Sequence, residues 1–186
     1  MEIEKEIRYK ANEEIIKKIR DISKLIQEKQ TQIDIVLGFY GFDSLNISNF
    51  ICRIRQKGNL TFMQIKRKLE DGVFEEYKLE IDNVSKGVEF LKAIGMKPYL
   101  YLKKDREVRE YKGLKIFIDN VDLLGDFIEI EFQDIENCNK IIDEFLNIVE
   151  IGKEPQPLYG DIFKEKILKD NIFKEEFEKR LQEILN

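Results

Sequence analysis

The chain has 186 residues, 42% hydrophobic and 37% charged, with 32 Lys plus Arg against 37 Asp plus Glu and a net charge of −5. That length supports one sizeable core, and the acidic balance argues against a nucleic-acid binder working through a general positive field. The absence of histidine removes imidazole acid–base chemistry, Ser-His-Asp triads and His-ligated zinc, and two cysteines, Cys52 and Cys138, are too few for a disulfide framework or a four-ligand zinc site.

In chain order, Ile3 to Lys10 alternates as a strand, with Glu4, Glu6, Arg8 and Lys10 on one face and Ile3, Lys5, Ile7 and Tyr9 on the other. Asn12 is placed as an N-cap, and Ile15, Ile16, Ile19, Ile22, Leu25 and Ile26 follow at helical spacing. Gln32 to Phe39 is extended, with Asp34 inside it, and residues 38–49 read as a loop. Phe50 to Gln56 is a strand presenting Arg53 and Arg55, turned by Lys57-Gly58-Asn59. Leu60 to Leu69 returns with Gln64, Lys66 and Lys68 on one face. Asp71-Gly72 signals a hairpin, and Val73 to Asp82 puts Glu76, Lys78 and Glu80 together.

Ser85 is expected to cap a short helix that Gly95 closes. Lys97 to Glu110 is extended, with Lys104 and Arg106 in phase. Leu114 to Val121 carries Asp119 opposite Ile116 and Ile118, and Phe127 to Phe132 sets Glu129 and Glu131 opposite Ile128, Ile130 and Phe132. Glu136 to Glu150 is helical before the break at Glu154-Pro155-Gln156-Pro157. A Phe-rich helical extension fills 161–186 and reads as a packing or dimer helix rather than a lid. No linker interrupts the hydrophobic pattern, so residues 1–186 are expected to form a single domain. The start of the chain lacks a basic-then-apolar leader and no apolar run spans a bilayer, so a cytoplasmic protein is expected, with neither membrane nor nucleic acid as partner.

The strand–turn–strand spacing indicates a largely antiparallel sheet, and about eight strands are available, enough to close a barrel. Most of them have one charged and one apolar face. Two architectures satisfy this. In an open sheet the charged faces meet water. In a closed barrel the apolar surface points outward beneath the helices and the charges line the lumen. Burying so many charges demands partners or ions. Arg53, Arg55, Lys66, Lys68, Lys104 and Arg106 near Glu4, Glu6, Glu129, Glu131 and Asp119 would supply the partners. The bases suit a phosphate chain and the acids a hard divalent cation.

Glu4-x-Glu6-x-Arg8 resembles the ExExK/R signature of the CYTH superfamily, the triphosphate tunnel metalloenzymes. Arg53, Lys66, the pair Lys104-x-Arg106, Asp119 and the segment Leu124 to Glu131 follow in that family's order. Glu154-Pro155 followed by Tyr159 is similar to the C-terminal element of its CyaB-type, class IV adenylate cyclase branch. The resemblance implies an α+β fold: an eight-stranded antiparallel closed barrel, a tunnel with a charged lumen, flanked by helices on the outside. It also implies Mg²⁺ or Mn²⁺ held by Glu4, Glu6, Glu129 and Glu131, and a triphosphate gripped by Arg8, Arg53, Arg55, Lys66, Lys68, Lys104 and Arg106. The catalytic set it carries over is Glu4, Glu6, Arg8, Lys66, Lys104, Arg106, Asp119 and Glu129. Glu76, Lys78 and Glu80 lie in register, with Lys10 at the rim. The chain departs from the family where Ile35 and Val36 follow Asp34 in place of an aromatic, where Lys78 replaces a common acid, and where Leu158 replaces the Ser before Tyr159.

The activity so implied is that of a phosphorus–oxygen lyase turning ATP into cyclic AMP and pyrophosphate. The alternative is a triphosphatase acting on tripolyphosphate, thiamine triphosphate or a nucleoside triphosphate. A third reading, a polyanion-binding module without turnover, sits poorly with an intact acidic set. The expected partner is a triphosphate-containing small molecule, ATP or a related polyphosphate, and a second copy of the chain is a further expectation.

Overall fold

The strands that alternate charged and apolar residues close on themselves. In the computed structural model, which describes residues 2–132, 135–152 and 154–185 (the side chains of 2–4 and 135–137 excepted), the strands are β1 (Glu2–Lys10), β2 (Lys24–Gly38), β3 (Phe50–Lys57), β4 (Leu60–Glu70), β5 (Val73–Ile81), β6 (Lys97–Tyr111), β7 (Leu114–Val121) and β8 (Gly125–Phe132). They form a closed barrel in the order β1-β5-β4-β3-β2-β6-β7-β8, every pairing antiparallel and β8 returning to β1. Closure removes sheet edges and gives each strand one inner and one outer face. The barrel, rather than the open sheet, is the architecture adopted.

The helices are α1 (Glu13–Ile22), α2 (Ser44–Ser48), α3 (Val84–Ala93), α4 (Ile135–Val149), α5 (Tyr159–Lys169) and α6 (Asn171–Leu185). Three apolar clusters attach them to the wall. Under α1 and α4, Ile16, Ile19, Phe145 and Val149 meet Ile116, Ile128 and Ile130. Under α3, Val88 and Leu91 meet Ile35, Cys52 and Ile54. Around α5 and α6, Phe163 and Phe177 meet Leu100, Tyr101, Val121 and Phe127. Each fully buried side chain of this kind stabilises the fold by roughly 1.5–3 kcal/mol. Cys52 is an outward packing residue in the α3 cluster, and burial pushes its thiol up to about 11.

Several boundaries differ from the sequence reading. Asn12 caps α1 as expected, its side chain accepting from the Ile15 N–H at 2.9 Å. The helix stops at Ile22 rather than running through Leu25 and Ile26. Ser23 is extended (φ −121°, ψ 153°), and Lys24 and Leu25 already pair with Glu110 and Arg109 of β6. Leu25 and Ile26 are accordingly exposed, at 38% and 51%. Residues read as loop contain the short helix α2. Asn83, not Ser85, caps α3, accepting from the Lys86 N–H at 2.9 Å. The tail is two helices, because Asp170 accepts from the N–H groups of Ile172 and Phe173 at 2.9 and 3.0 Å and starts a new one. No helix is long and apolar enough to cross a membrane among the described residues.

Candidate active site

The inner face of the barrel collects what alternation placed on one side of each strand. A cavity of about 120 Å³ is lined by Glu6 and Arg8 of β1, Asp34 of β2, Arg53 and Arg55 of β3, Lys66 of β4, Lys104 and Arg106 of β6, and Glu129 and Glu131 of β8. Its far wall is apolar, from Val36, Ile51, Leu100 and Leu102, and α5 closes over that end with Leu158, Tyr159 and Gly160. The tail is therefore a packing element whose first residues also line one end of the cavity.

Two buried carboxylates organise the centre. Asp119, fully buried at 0% exposure, accepts from Arg106 Nε and Nη2 at 2.6 Å each, from Lys104 Nζ at 3.0 Å and from the Tyr159 hydroxyl at 3.0 Å. Glu129 accepts from Arg8 Nη2 at 2.6 Å and Nε at 3.2 Å, and from Arg106 Nη2 at 3.0 Å. Burial alone would raise both carboxyls, but Arg106, with Lys104 beside Asp119 and Arg8 beside Glu129, holds them below the usual range. Taken out of water, such charges tolerate little error: removing one partner strands the other.

Arg8 is held from three directions. Its guanidinium stacks 4.0 Å from the centre of the Tyr159 ring, and its Nη1 donates to the Pro157 carbonyl at 3.1 Å. The Gln156 N–H donates to the Arg8 carbonyl at 2.7 Å, so the segment before α5 runs along β1. This is possible because β1 pairs with β5 only as far as Lys5↔Val73 and the Glu6 N–H then meets the Gly72 carbonyl of the turn, after which the Gln156 segment takes over that side. Burial and the neighbouring Asp119 and Glu129 hold the Tyr159 hydroxyl well above its ordinary pKa.

On the opposite wall Asp34 takes a two-pronged bond from Arg55, Nε and Nη2 both at 2.7 Å, with Arg53 Nη1 at 3.7 Å. Burial opposes its ionisation, and Arg55, Arg53 and Lys104 overcome it, leaving Asp34 well below the usual carboxylate range. Arg53 also donates from Nε to Gln64 Oε1 at 2.7 Å and from Nη2 to Glu76 at 3.1 Å. Lys66 Nζ donates to Glu6 Oε2 at 3.1 Å. Lys104 has its pKa lowered to about 8, by burial first and by Arg106 second, with Asp119 opposing.

The expected residues are thus largely brought together. Lys68 stands apart from the central cavity, paired at 2.6 Å with Asp71 at the β4–β5 turn. Glu131 lines the cavity and pairs with Lys115. Lys10 is at the rim, donating to the Leu124 carbonyl at 2.5 Å. Glu4 lies opposite Phe74 in the β1–β5 register, and its side chain is outside the described residues. Among the described residues no group of three or more acids is gathered closely enough for a metal. Glu6, Glu129 and Glu131 nevertheless line one cavity and offer the hard oxygen donors a Mg²⁺ or Mn²⁺ ion takes.

Three site residues escaped the reading of the strands: Asp34, Gln64 and Tyr159. Asp34 was visible as an acid inside an apolar run, and Gln64 as in phase with Lys66. Tyr159 was legible only through the resemblance, because a helix from elsewhere delivers it to the lumen.

A closed eight-stranded barrel whose lumen is lined by arginines, lysines and buried carboxylates defines the class, and the CYTH domain family matches residues 2–155. The chain belongs to that family. A Methanocaldococcus jannaschii protein carrying a provisional adenylate cyclase name is 24% identical over 156 residues, covering 81% of this chain and 88% of its own. The solved structure of PH1819 from Pyrococcus horikoshii superposes with a TM-score of 0.74 at 28% identity, over 88% of this chain and 99% of that one. A Hippeastrum protein named as an adenylyl cyclase, and described with a dominant triphosphatase activity, shares the fold with a TM-score of 0.65 at 19% identity, over 89% of this chain and 96% of that one.

Proposed function

We propose that this chain is a divalent-metal-dependent enzyme acting on a triphosphate laid along the barrel lumen. The observation that carries the reading is the convergence of Arg8, Arg53, Arg55, Lys66, Lys104 and Arg106 on one cavity that also holds Glu6, Glu129 and Glu131. Phosphoryl chemistry asks a protein to position its substrate and neutralise charge, which needs no histidine.

Arg8, Lys66, Lys104 and Arg106 present their donors to phosphate oxygens and draw charge from the leaving phosphate. Asp119 keeps Arg106 aligned for this, as Asp34 does Arg55. Glu6, Glu129 and Glu131, with Glu4, would hold a Mg²⁺ or Mn²⁺ ion, which would supply charge neutralisation on the phosphate oxygens and activation of the nucleophile. Tyr159 and the Pro157 carbonyl fix the plane of Arg8.

Two reactions use such a site. Cyclisation of ATP to cyclic AMP and pyrophosphate is supported by the adenylate cyclase names among relatives and by the Glu154-Pro155 and Tyr159 element. Hydrolysis is supported by the charged lining, which grips a triphosphate whatever it is attached to, and by the triphosphatase activity named for the Hippeastrum relative. Incubation with Mg²⁺ or Mn²⁺ and, separately, ATP, tripolyphosphate and thiamine triphosphate distinguishes them. Cyclic AMP with pyrophosphate is the cyclase result, free phosphate the hydrolase result, and binding without turnover defeats the enzyme reading. Glu6→Gln is expected to abolish turnover with the circular dichroism spectrum unchanged, and full activity in that variant would remove the metal assignment.

A further inference from the structure

The mouth away from α5 carries lysines outside the set assigned to the triphosphate. Lys104, Gln32 and Lys57 are direct cross-strand partners on β6, β2 and β3. Paired residues share a face, and Lys104 identifies that face as the lumen. The row therefore runs from the cavity out to the β3–β4 turn, Lys57 being the last residue of its strand.

The two outer lysines lean on neutral groups. Lys57 Nζ donates to Gln27 Oε1 at 2.8 Å, and Lys78 Nζ stands 3.7 Å from the centre of the Phe62 ring. Among the described residues neither lysine is ion-paired, and Glu80, exposed on the same face of β5, pairs with neither. Burial, then Arg55, Arg106 and Lys78, lower the Lys57 pKa. Deeper in the lumen, Arg55 and Arg106 are engaged by Asp34, Asp119 and Glu129. Between the two zones lies Gln32, only 4% exposed, whose Oε1 has no hydrogen-bond partner. A buried amide with an unmet atom is destabilising. Rotation of the amide exchanges its oxygen and nitrogen, so the same side chain can offer an N–H to an incoming oxyanion.

Unpaired cations beside an unmet amide suit a multi-oxygen anion. We propose that this mouth holds one further phosphate subsite, formed by Lys57, Lys78 and Gln32, so that the tunnel takes a linear polyphosphate longer than three phosphates. The inference rests on the triphosphate reading of the lumen and names the ligand class that extends from it. With the first residues of α5 lining the other end of the cavity, this is the end through which the chain projects.

Calorimetric titration at pH 7 in EDTA, with tripolyphosphate, tetrapolyphosphate and ATP as ligands, tests it without turnover. Tetrapolyphosphate is expected to bind about tenfold more tightly than tripolyphosphate, the scale of one added charge-assisted contact. Lys57→Met should bring that ratio near one while leaving tripolyphosphate affinity unchanged, and Lys78→Met should lower the ratio less. Gln32→Leu should lower the ratio while raising the melting temperature of the free protein, a pairing that a purely structural glutamine would not give. Equal affinities in the native protein, or a ratio that survives Lys57→Met, would overturn the subsite. Tighter binding of ATP than of tetrapolyphosphate would also overturn it, assigning the mouth to a nucleoside. Failure of all three ligands to bind would overturn the triphosphate reading itself, an outcome distinct from equal binding.

Discussion

Strand β6 builds two charged networks on opposite sides of one wall. Inside, Lys104 and Arg106 meet Asp119 and, from β8, Glu129. Outside, Glu107 accepts from Arg20 Nη2 at 2.6 Å and from Arg109 Nη1 at 2.7 Å. Arg109 then donates to the carbonyls of Arg20 and Ser23 at 3.1 and 2.8 Å, satisfying backbone groups at the end of α1. Both networks bring arginines onto a buried carboxylate, although Arg20 in the outer one is itself exposed. In the outer one Arg109 is spent on the protein's own backbone and fastens a helix to the barrel. The inner one surrounds a cavity, so its donors can be handed to a ligand. Burial and charge alone do not separate a site from a strut; what the donors can reach does.

The sharpest break in this comparison comes from Asp119→Asn, which strands Arg106 and Lys104 in the lumen. It is expected to cost about 3–5 kcal/mol in urea unfolding, as for a buried pair losing one partner, and to remove turnover as well. Glu107→Gln should cost about 1–3 kcal/mol and leave kcat/KM of the folded fraction unchanged. A loss of kcat/KM there would erase the distinction between the two networks.

A smaller effect follows from Lys104, whose pKa is lowered to about 8, chiefly by burial and then by Arg106. The unfolded chain titrates near 10.4. Between these values the unfolded state binds more protons, so this group's contribution to stability rises with pH through that window. Ligand affinity moves the other way, because phosphate requires the ammonium form. Tripolyphosphate binding should weaken from pH 7 to pH 9, by roughly tenfold for one lost charge-assisted bond. Lys104→Arg, which stays charged, should flatten the fall, and an equal slope in that variant would take Lys104 out of the binding set. Smallest is Tyr159→Phe, which loses the hydroxyl bond to Asp119 but keeps the ring beneath Arg8. About 1 kcal/mol of stability should go with little change in KM. A large KM change would give the hydroxyl a direct part in substrate binding.

Much of the site was legible because its residues sit at period two. Arg53 with Arg55, Lys104 with Arg106, and Glu129 with Glu131 fall on common faces whatever the sheet becomes. Leu25 and Ile26 misled because their spacing continues that of α1, whereas hydrogen bonding to β6 claimed them for β2. Gln32 and Lys57 carried no signal of their own, since a polar residue near a strand end usually marks only solvent.

By itself, then, the chain determined which side chains share a face, where the turns fall and which chemistry the charges could serve, because alternation and turn residues act over a few neighbours. Tertiary structure decided which face is the inside. That depended on β8 returning to β1, a contact between the two ends of the barrel segment that no local pattern encodes. It also decided that a helix beyond the barrel strands sets Tyr159 against Arg8 and Asp119, since packing, not spacing in the chain, brings those three together.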